Sequence, residues 1–216
     1  WNLIVHHEDY SLYIEKDFNL YDTDSTELWT EQLRTAAKEL IGDLEHIPVH
    51  IISSNTFGVR NCLSPEIHQA KDTILQWGKT NCPKIHQTHF PNPIDKLYAL
   101  IKPYLKAHPL FAQQILDQEK QNGIVKLKAE GFTGIDIELI ATHTLHKTHI
   151  DPSLQKKFPF QKQLIVNIDY AFGNQAEDII GCLILLFGSN IRSINVMGKA
   201  GALTGKRGDI LQANAV

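Results

Sequence analysis

A strand, a helix and a second strand follow one another without interruption late in the chain. Residues 163–169 contain the run Leu-Ile-Val, which predicts a buried strand. Residues 174–187 have the pattern of a helix whose later turns are apolar on nearly every side, so that it is expected to be buried between the sheet and its neighbours. Residues 191–196 predict the next strand. Because two strands joined by a helix in this length form a right-handed crossover, the strands are expected to be parallel. The predicted fold class is therefore α/β, with a mixed or mainly parallel sheet flanked by helices.

The earlier part of the chain adds more strands and a long helical stretch. Further strands are predicted over residues 48–54, 124–128, 135–141 and 209–213, and within residues 1–23. Amphipathic helices are predicted over residues 24–44, 65–77, 94–105 and 109–121. We therefore divide the chain into an N-terminal strand and helix part of the α/β domain (residues 1–63), a helical block or insertion (residues 64–123) and an α/β core (residues 124–216).

Composition and charge exclude several classes of protein. A formal charge of −3 excludes a globally basic nucleic-acid binder. The longest unbroken apolar stretch runs from Cys182 to Phe187, whereas a membrane span needs about 20 residues. The 3 cysteines form no CxxC pair and leave one unpaired in any arrangement, which indicates a reducing compartment. We expect a cytoplasmic protein that binds neither nucleic acid nor membrane, and a homo-oligomer is left open.

Small polar residues follow the strand predicted over residues 48–54. Ser54, Asn55 and Thr56 come directly after its apolar run, and Arg60 lies a few residues further on. The carboxyl ends of strands in α/β sheets are a common place for ligand contacts, so these residues are candidate anion contacts. The same residue types are also ordinary loop chemistry, and the sequence leaves both interpretations open.

A glycine-rich loop follows the strand predicted over residues 191–196. It begins Gly198-Lys199-Ala200-Gly201 and continues through two further glycines to Asp209. Glycine lets the backbone approach a ligand closely and adopt a positive φ. Such a loop at the end of a parallel strand is typical of a ligand site, although a tight connection between strands would also explain it.

These elements together resemble a known superfamily of enzymes. The residues that carry the resemblance are Asp169–Gly173, the helix over 174–187, the strand over 191–196, Gly198–Leu203 and Gly208-Asp209-Ile210. In order and spacing they are similar to the nucleoside phosphorylase/nucleosidase superfamily, which includes purine nucleoside phosphorylases, methylthioadenosine nucleosidases and AMP nucleosidases. The resemblance covers residues 163–216. It implies a Rossmann-like core that binds a purine nucleoside or nucleotide.

The resemblance also implies an activity and a set of ligand contacts. The activity is cleavage of the N-glycosidic bond through an oxocarbenium-like sugar, by a nucleosidase (hydrolase) or a phosphorylase (glycosyltransferase). No cofactor is implied, and phosphate is the candidate co-substrate. The implied ligand loop consists of Gly173, Gly198, Lys199, Ala200 and Gly201, with Asp209 in a structural role. Lys199 stands where the family has Ser or Thr, and there it would either bind a 5′-phosphate or point to solvent.

The same comparison leaves the catalytic residues unknown. The family's ribose-binding Met-Glu pair and its purine-facing Asp or Asn come later than Gly208-Asp209-Ile210, and the sequence offers no counterpart before Val216. The core is therefore expected to be truncated at its C-terminal end. The alternative hypothesis is a non-catalytic module with a degenerate phosphorylase-like fold, which binds a nucleotide or another protein.

Two other groups of residues are candidates for metal binding and for acid/base chemistry. His143, His146 and His149 recur every third position, but this spacing spreads them around a helix, and we expect solvated histidines and no metal site. Asp136 and Glu138 share one face of a predicted strand. They are either a carboxylate pair or the solvated face of an edge strand. No nucleophile elbow, P-loop or HExxH motif occurs.

Overall fold

The computed structural model describes residues 23–127, 135–171 and 173–197, which form an α/β fold. The strands are β1 (Val49–Ser53), β2 (Ile124–Leu127), β3 (Ile137–Ala141), β4 (Leu164–Ile168) and β5 (Ile191–Val196). The helices are α1 (Thr23–Ile41), α2 (Thr56–Leu63), α3 (Pro65–Gln69), α4 (Lys71–Asn81), α5 (Pro83–Gln87), α6 (Pro93–Ala107), α7 (Pro109–Gln121) and α8 (Gly173–Phe187). Short 3₁₀ turns cover Thr142–Thr144, Lys147–His149 and Gly188–Asn190. The strands expected near the N-terminus and around Asp209 lie outside the described residues.

The five strands form one mixed sheet in the order β2-β3-β4-β1-β5. β1 runs parallel to β4 on one side and to β5 on the other, so that Ile51 pairs with both Val166 and Ile194. β3 runs antiparallel to its neighbours β2 and β4. The α/β class with a mixed sheet flanked by helices is confirmed, and so is the parallel direction of the strands before and after α8. These two strands are not neighbours, because β1 lies between them.

Helices cover both faces of the sheet. On the first face, α1 and α8 pack against every second residue of the central strands, with a core that includes Trp29, Leu33, Ile51, Val166 and Leu183. On the second face, α2 and the segment that follows β3 pack against the alternate positions, with a core that includes Leu63, Ile124, Ile140, Ile150 and Ile165. Successive side chains of a strand point to opposite faces of the sheet, so that neighbouring residues such as Ile165 and Val166 belong to different cores.

The helices between β1 and β2 have a core of their own. Ile74, Leu97, Leu100, Ile101 and Ile115 are buried against one another at the contacts of α4, α6 and α7. The start of α6 follows from its sequence, since the side chain of Asn92 accepts a hydrogen bond from the backbone N–H of Ile94 and Pro93 occupies the first turn. α7 then returns the chain to β2 at the far end of the described sheet.

The structure corrects one expectation about α8. This helix is not buried on nearly every side, since Leu185 is 85 % exposed and Ile184 is 47 % exposed. Ile179, Leu183 and Phe187 are buried against the sheet, because these positions recur every four residues on one side of the helix, and Ile180, Cys182 and Leu186 beside them are partly buried in the same core. Within the described ranges, no helix is both long enough and apolar enough to cross a membrane.

Candidate functional site

β1 and β4 are neighbouring parallel strands inside the sheet, and their carboxyl ends lie side by side. β1 leads into α2, which packs on the second face through Val59, Cys62 and Leu63. β4 leads into α8, which packs on the first face. Adjacent parallel strands whose following helices leave to opposite faces open a crevice between their ends, and α/β proteins commonly bind ligands there.

Several of the residues predicted as ligand contacts lie at these strand ends. The backbone N–H of Ser54 donates to the carbonyl of Ile168 at 2.9 Å, which ties the end of β1 to the end of β4. Ser54 and Thr56 are buried, whereas Asn55 is exposed. Gly173 begins α8 with φ +56°, and a Cβ at this position would meet no atom within 4 Å. The remaining predicted contacts, Gly198, Lys199, Ala200 and Gly201, lie outside the described residues.

Arg60, the fourth candidate anion contact of the first loop, has a partner within the chain. Its guanidinium is buried, with Nε 2.7 Å and Nη2 2.5 Å from Oε2 of Glu119 on α7. Both contacts converge on the same carboxylate oxygen. The other oxygen, Oε1, is buried and has no hydrogen-bond partner among residues 23–127, 135–171 and 173–197.

A cavity of about 690 Å³ lies beside this ion pair, along β2 and between α1 and α7. Its polar wall contains Arg60, Glu119 and Glu138, and its apolar wall includes Leu40, Leu116, Ile124 and Val125. The volume is typical of sites that bind small molecules. Arg60 is the residue shared between this cavity and the predicted anion contacts.

Glu138 is buried in the middle of β3, where a charged side chain is unusual. It is 2 % exposed and stands in register between Lys126 of β2 and Asn167 of β4. The amide Nδ2 of Asn167 donates to Oε2 of Glu138 at 3.4 Å, whereas the amine of Lys126 pairs with Asp136. Burial raises the pKa of Glu138 to about 7, although Arg60 and the Asn167 hydrogen bond act in the opposite direction. The carboxyl therefore exchanges a proton near neutral pH.

These observations exclude one of the two interpretations of Asp136 and Glu138. β3 is not at the edge of the described sheet, because β2 and β4 flank it, and Glu138 is not solvated. The edge-strand interpretation is therefore wrong for Glu138. Sequence reasoning missed Glu119 and Asn167, although each carries a signal. Asn167 interrupts an apolar strand, and Glu119 lies one helical turn after the buried Ile115 on the same side of α7.

A second polar network joins α2, α6 and the segment after β3. The hydroxyl of Tyr98 donates to Asp151, whose other oxygen accepts from the backbone N–H of Ser153 at 2.7 Å. Burial acts to raise the pKa of Asp151, but the hydrogen bonds from Ser153 and Tyr98 outweigh it and the pKa is lowered. Burial raises the pKa of the Cys62 thiol, so this cysteine stays protonated at neutral pH. The network is suited to holding three segments together rather than to exchanging protons.

The histidines expected to be solvated lie in the turns after β3. His143 and His146 are exposed, and the rings of His146 and His149 are 5.0 Å apart. Nδ1 of His149 lies 3.2 Å from the amide nitrogen of Gln69. In the part of the chain that the structure describes, no three His, Cys, Asp or Glu side chains are grouped so as to hold a metal ion.

The described residues thus define an α/β protein with a mixed five-stranded sheet, two adjacent parallel strands whose following helices pack on opposite faces, and a cavity with a buried polar wall. The chain belongs to a family of unknown function, DUF6909, whose model matches residues 2–216. The match includes the helical block as well as the α/β part of the chain. No curated protein and no solved structure matches the chain.

Proposed function

We propose that the protein binds a purine nucleoside or nucleotide at the carboxyl ends of β1 and β4 and cleaves its N-glycosidic bond, by hydrolysis or by phosphorolysis. The observation that carries this proposal is the divergence of α2 and α8 from adjacent parallel strands to opposite faces of the sheet. The resemblance of residues 163–216 to the nucleoside phosphorylase/nucleosidase superfamily supplies the ligand class.

The residues at these strand ends suit such a ligand. Ser54 and Thr56 bring hydroxyl groups that hydrogen-bond to a ribose or a phosphate. Gly173 leaves open space where a side chain would stand, so the backbone at the start of α8 is accessible to a sugar or phosphate. In this proposal the loop from Gly198 to Gly201 completes the site, with Lys199 as the contact to phosphate.

The chain's cysteines agree with the proposed cellular location. Cys62, Cys82 and Cys182 are all free thiols and each is partly buried. Free thiols are typical of proteins from reducing compartments. This supports the proposal that the activity is cytoplasmic.

The test combines product detection with thermal stability. The full chain is incubated with AMP, adenosine, inosine and methylthioadenosine, with and without phosphate, and free base is measured by liquid chromatography. Melting temperatures are recorded with the same compounds. We expect release of base from at least one compound and stabilisation by it. Dependence of base release on phosphate identifies a phosphorylase.

A matched pair of variants locates the site. Ser54→Ala removes a hydroxyl at the crevice, whereas Ser189→Ala removes one in the turn at the opposite end of α8. We expect Ser54→Ala to lose most of the stabilisation by ligand and Ser189→Ala to retain it. Stabilisation without release of base would overturn the cleavage and favour the non-catalytic binding module. No stabilisation and no release would overturn the whole proposal.

A further inference from the structure

The buried polar wall of the cavity contains more hydrogen-bond acceptors than donors. Arg60 directs two donors to Oε2 of Glu119, and Oε1 of the same carboxylate is left without a partner in the described ranges. Because a buried acceptor without a donor keeps its desolvation cost, this oxygen raises the free energy of the folded state. Oδ1 of Asn167, which does not line the cavity, is likewise buried without a partner in the described ranges.

The buried part of this wall is also short of positive charge. There two carboxyl groups, Glu119 of α7 and Glu138 of β3, face a single buried cation, Arg60 of α2. The lining also contains Glu39 and Lys120, which are both exposed at the rim. Lys126 of β2 lies beside Glu138 in register, but its amine pairs with Asp136 and lies 6.0 Å from the ring of Phe57. A proton on Glu138 restores neutrality, yet it does not supply a donor to Oε1 of Glu119.

A ligand group that carries a positive charge and several N–H groups supplies both the missing charge and the missing hydrogen-bond donors. We infer that this cavity binds a small organic cation with an aliphatic body, whose ammonium or guanidinium group is held by Glu119 and Glu138. An ammonium brings three donors and a guanidinium five. The aliphatic body would pack against Leu40, Leu116, Ile124 and Val125, which line the rest of the cavity.

The alternatives fit the cavity less well. A metal ion requires several ligand atoms around it, and among the described residues no group of three His, Cys, Asp or Glu side chains is placed to bind one. An anion would be repelled by Glu119 and would find Arg60 already paired. A neutral apolar molecule would fill the volume of about 690 Å³ but would leave Oε1 of Glu119 unpaired.

Binding of such a cation is coupled to loss of a proton. Burial raises the pKa of Glu138 to about 7, so at neutral pH a proton and the ligand compete for this carboxyl. The groups that face Glu138 are Arg60 from α2, Glu119 from α7, Lys126 from β2 and Asn167 from β4. Since the carboxylate form is the binding form, affinity rises with pH, by about tenfold between pH 6 and pH 8.

The first experiment uses simple probes on the full chain. Butylamine, butylguanidinium and 1,4-diaminobutane are the cationic probes, with butanol and butyrate as neutral and anionic controls of similar size. Titration calorimetry at pH 7 in two buffers of different ionisation enthalpy measures the protons released. We expect binding of the cations with release of protons, tighter binding at pH 8 than at pH 6, and no binding of the two controls. Equal binding of butanol and butylamine, or affinity independent of pH, would overturn the inference.

Variants provide a second and independent check. Glu138→Gln resembles the protonated carboxyl in size and charge, so it should fold, bind the cationic probes at least tenfold more weakly and lose the pH dependence. Glu39→Gln, at the exposed rim of the cavity, is the matched control and should bind as the natural chain does. Unchanged binding by Glu138→Gln would contradict the inference. The result is separate from the proposed function, because Ser54→Ala should still bind 1,4-diaminobutane.

Discussion

Arg60 and Glu119 form a buried ion pair in which two guanidinium nitrogens contact one carboxylate oxygen. The pair links α2, which follows the central strand β1, to α7, the last helix before β2. It therefore fastens α7, the last helix of the helical block, to α2 along one wall of the cavity.

Removing one member of this pair should strongly destabilise the protein. Arg60→Met leaves the carboxylate of Glu119 buried without a cation, and we expect a loss of about 3–5 kcal/mol in the free energy of unfolding. Urea denaturation measures it. The double variant Arg60→Met with Glu119→Leu should recover most of the loss, because the carboxylate of Glu119 is no longer left buried without its cation. Arg34→Ala breaks the exposed pair with Glu31 and should cost less than about 1 kcal/mol. Similar losses for Arg60→Met and Arg34→Ala would contradict this account.

Stability should fall as pH rises through the range in which Glu138 titrates. The folded state raises the pKa of this group from 4.5 to about 7, so between these values the folded state keeps a proton that the unfolded state has released. The protonated Glu138 therefore contributes its full stabilisation at and below the pKa of the unfolded chain, and this contribution is lost as pH rises to about 7. The total loss in the free energy of unfolding is about 3 kcal/mol.

The variant Glu138→Gln isolates this contribution. We expect the natural chain and the variant to have similar urea midpoints near pH 5, and the natural chain to become the less stable of the two by pH 8. Other groups that titrate affect both proteins alike, so the difference between the two profiles reports Glu138. Parallel profiles from pH 5 to pH 8 would show that the carboxyl does not retain its proton on folding.

Two glycines in the chain should respond in opposite directions to alanine. Gly123 has φ +79° between α7 and β2, and a Cβ there would collide with the side chain of Thr144. Gly58 lies within α2, where a Cβ would meet nothing within 4 Å. We expect Gly123→Ala to destabilise by more than about 1 kcal/mol and Gly58→Ala to stabilise by up to about 1 kcal/mol. Thermal unfolding of both variants measures the two changes in stability. A Gly123→Ala protein as stable as the natural chain would contradict this prediction.

The hydroxyl of Tyr98 should matter more than that of Tyr104, although both lie on α6. Tyr98 donates to the carboxylate of Asp151, and a hydrogen bond to a charged group contributes about 1.5–3 kcal/mol. Tyr98→Phe should lose this amount, whereas Tyr104→Phe keeps the ring contacts with Trp77 and Phe111 and should change stability little.

The effect of Tyr98→Phe should also depend on pH. The pKa of Asp151 is lowered in the folded protein, so its contribution to stability is present above the pKa of the unfolded chain and is lost as pH falls through the folded value. Without the Tyr98 hydroxyl, acid should remove less stability. Denaturation at neutral pH and at pH 3 measures this, and an equal acid loss in the natural chain and Tyr98→Phe would contradict the role given to the hydrogen bond.

The regular elements follow from the sequence because local patterns determine them. The strand, helix and strand expected over residues 163–196 are present as β4, α8 and β5, and the parallel direction of the two strands follows from their connection. The exposed side of α8 was not predictable, because an apolar pattern on all sides does not reveal which side a neighbour covers. Leu183 and Leu185 belong to the same apolar run in the sequence, yet Leu183 is buried and Leu185 is exposed in the structure.

The convergence of the buried polar cluster could not be predicted, for a different reason. Arg60, Glu119 and Glu138 come from α2, α7 and β3, which are far apart in the sequence, and each is a residue type that usually lies at the surface. Their burial depends on how α7 returns across β2 and β3. The positions of Ser54, Thr56 and Gly173 just after β1 and β4 were predictable, because the ends of strands can be located from the apolar runs before them.

The position of β1 has a consequence for how the chain is made on the ribosome. Among the described strands, β1 is synthesised first and lies between β4 and β5, the last two to emerge. Its backbone stays without partners while the helical block, whose contacts are local, assembles its own core. The apolar sequence Val-His-Ile-Ile-Ser is then open to pairing with other chains. Nascent chains that stop before residue 164 should therefore depend on chaperones to avoid aggregation.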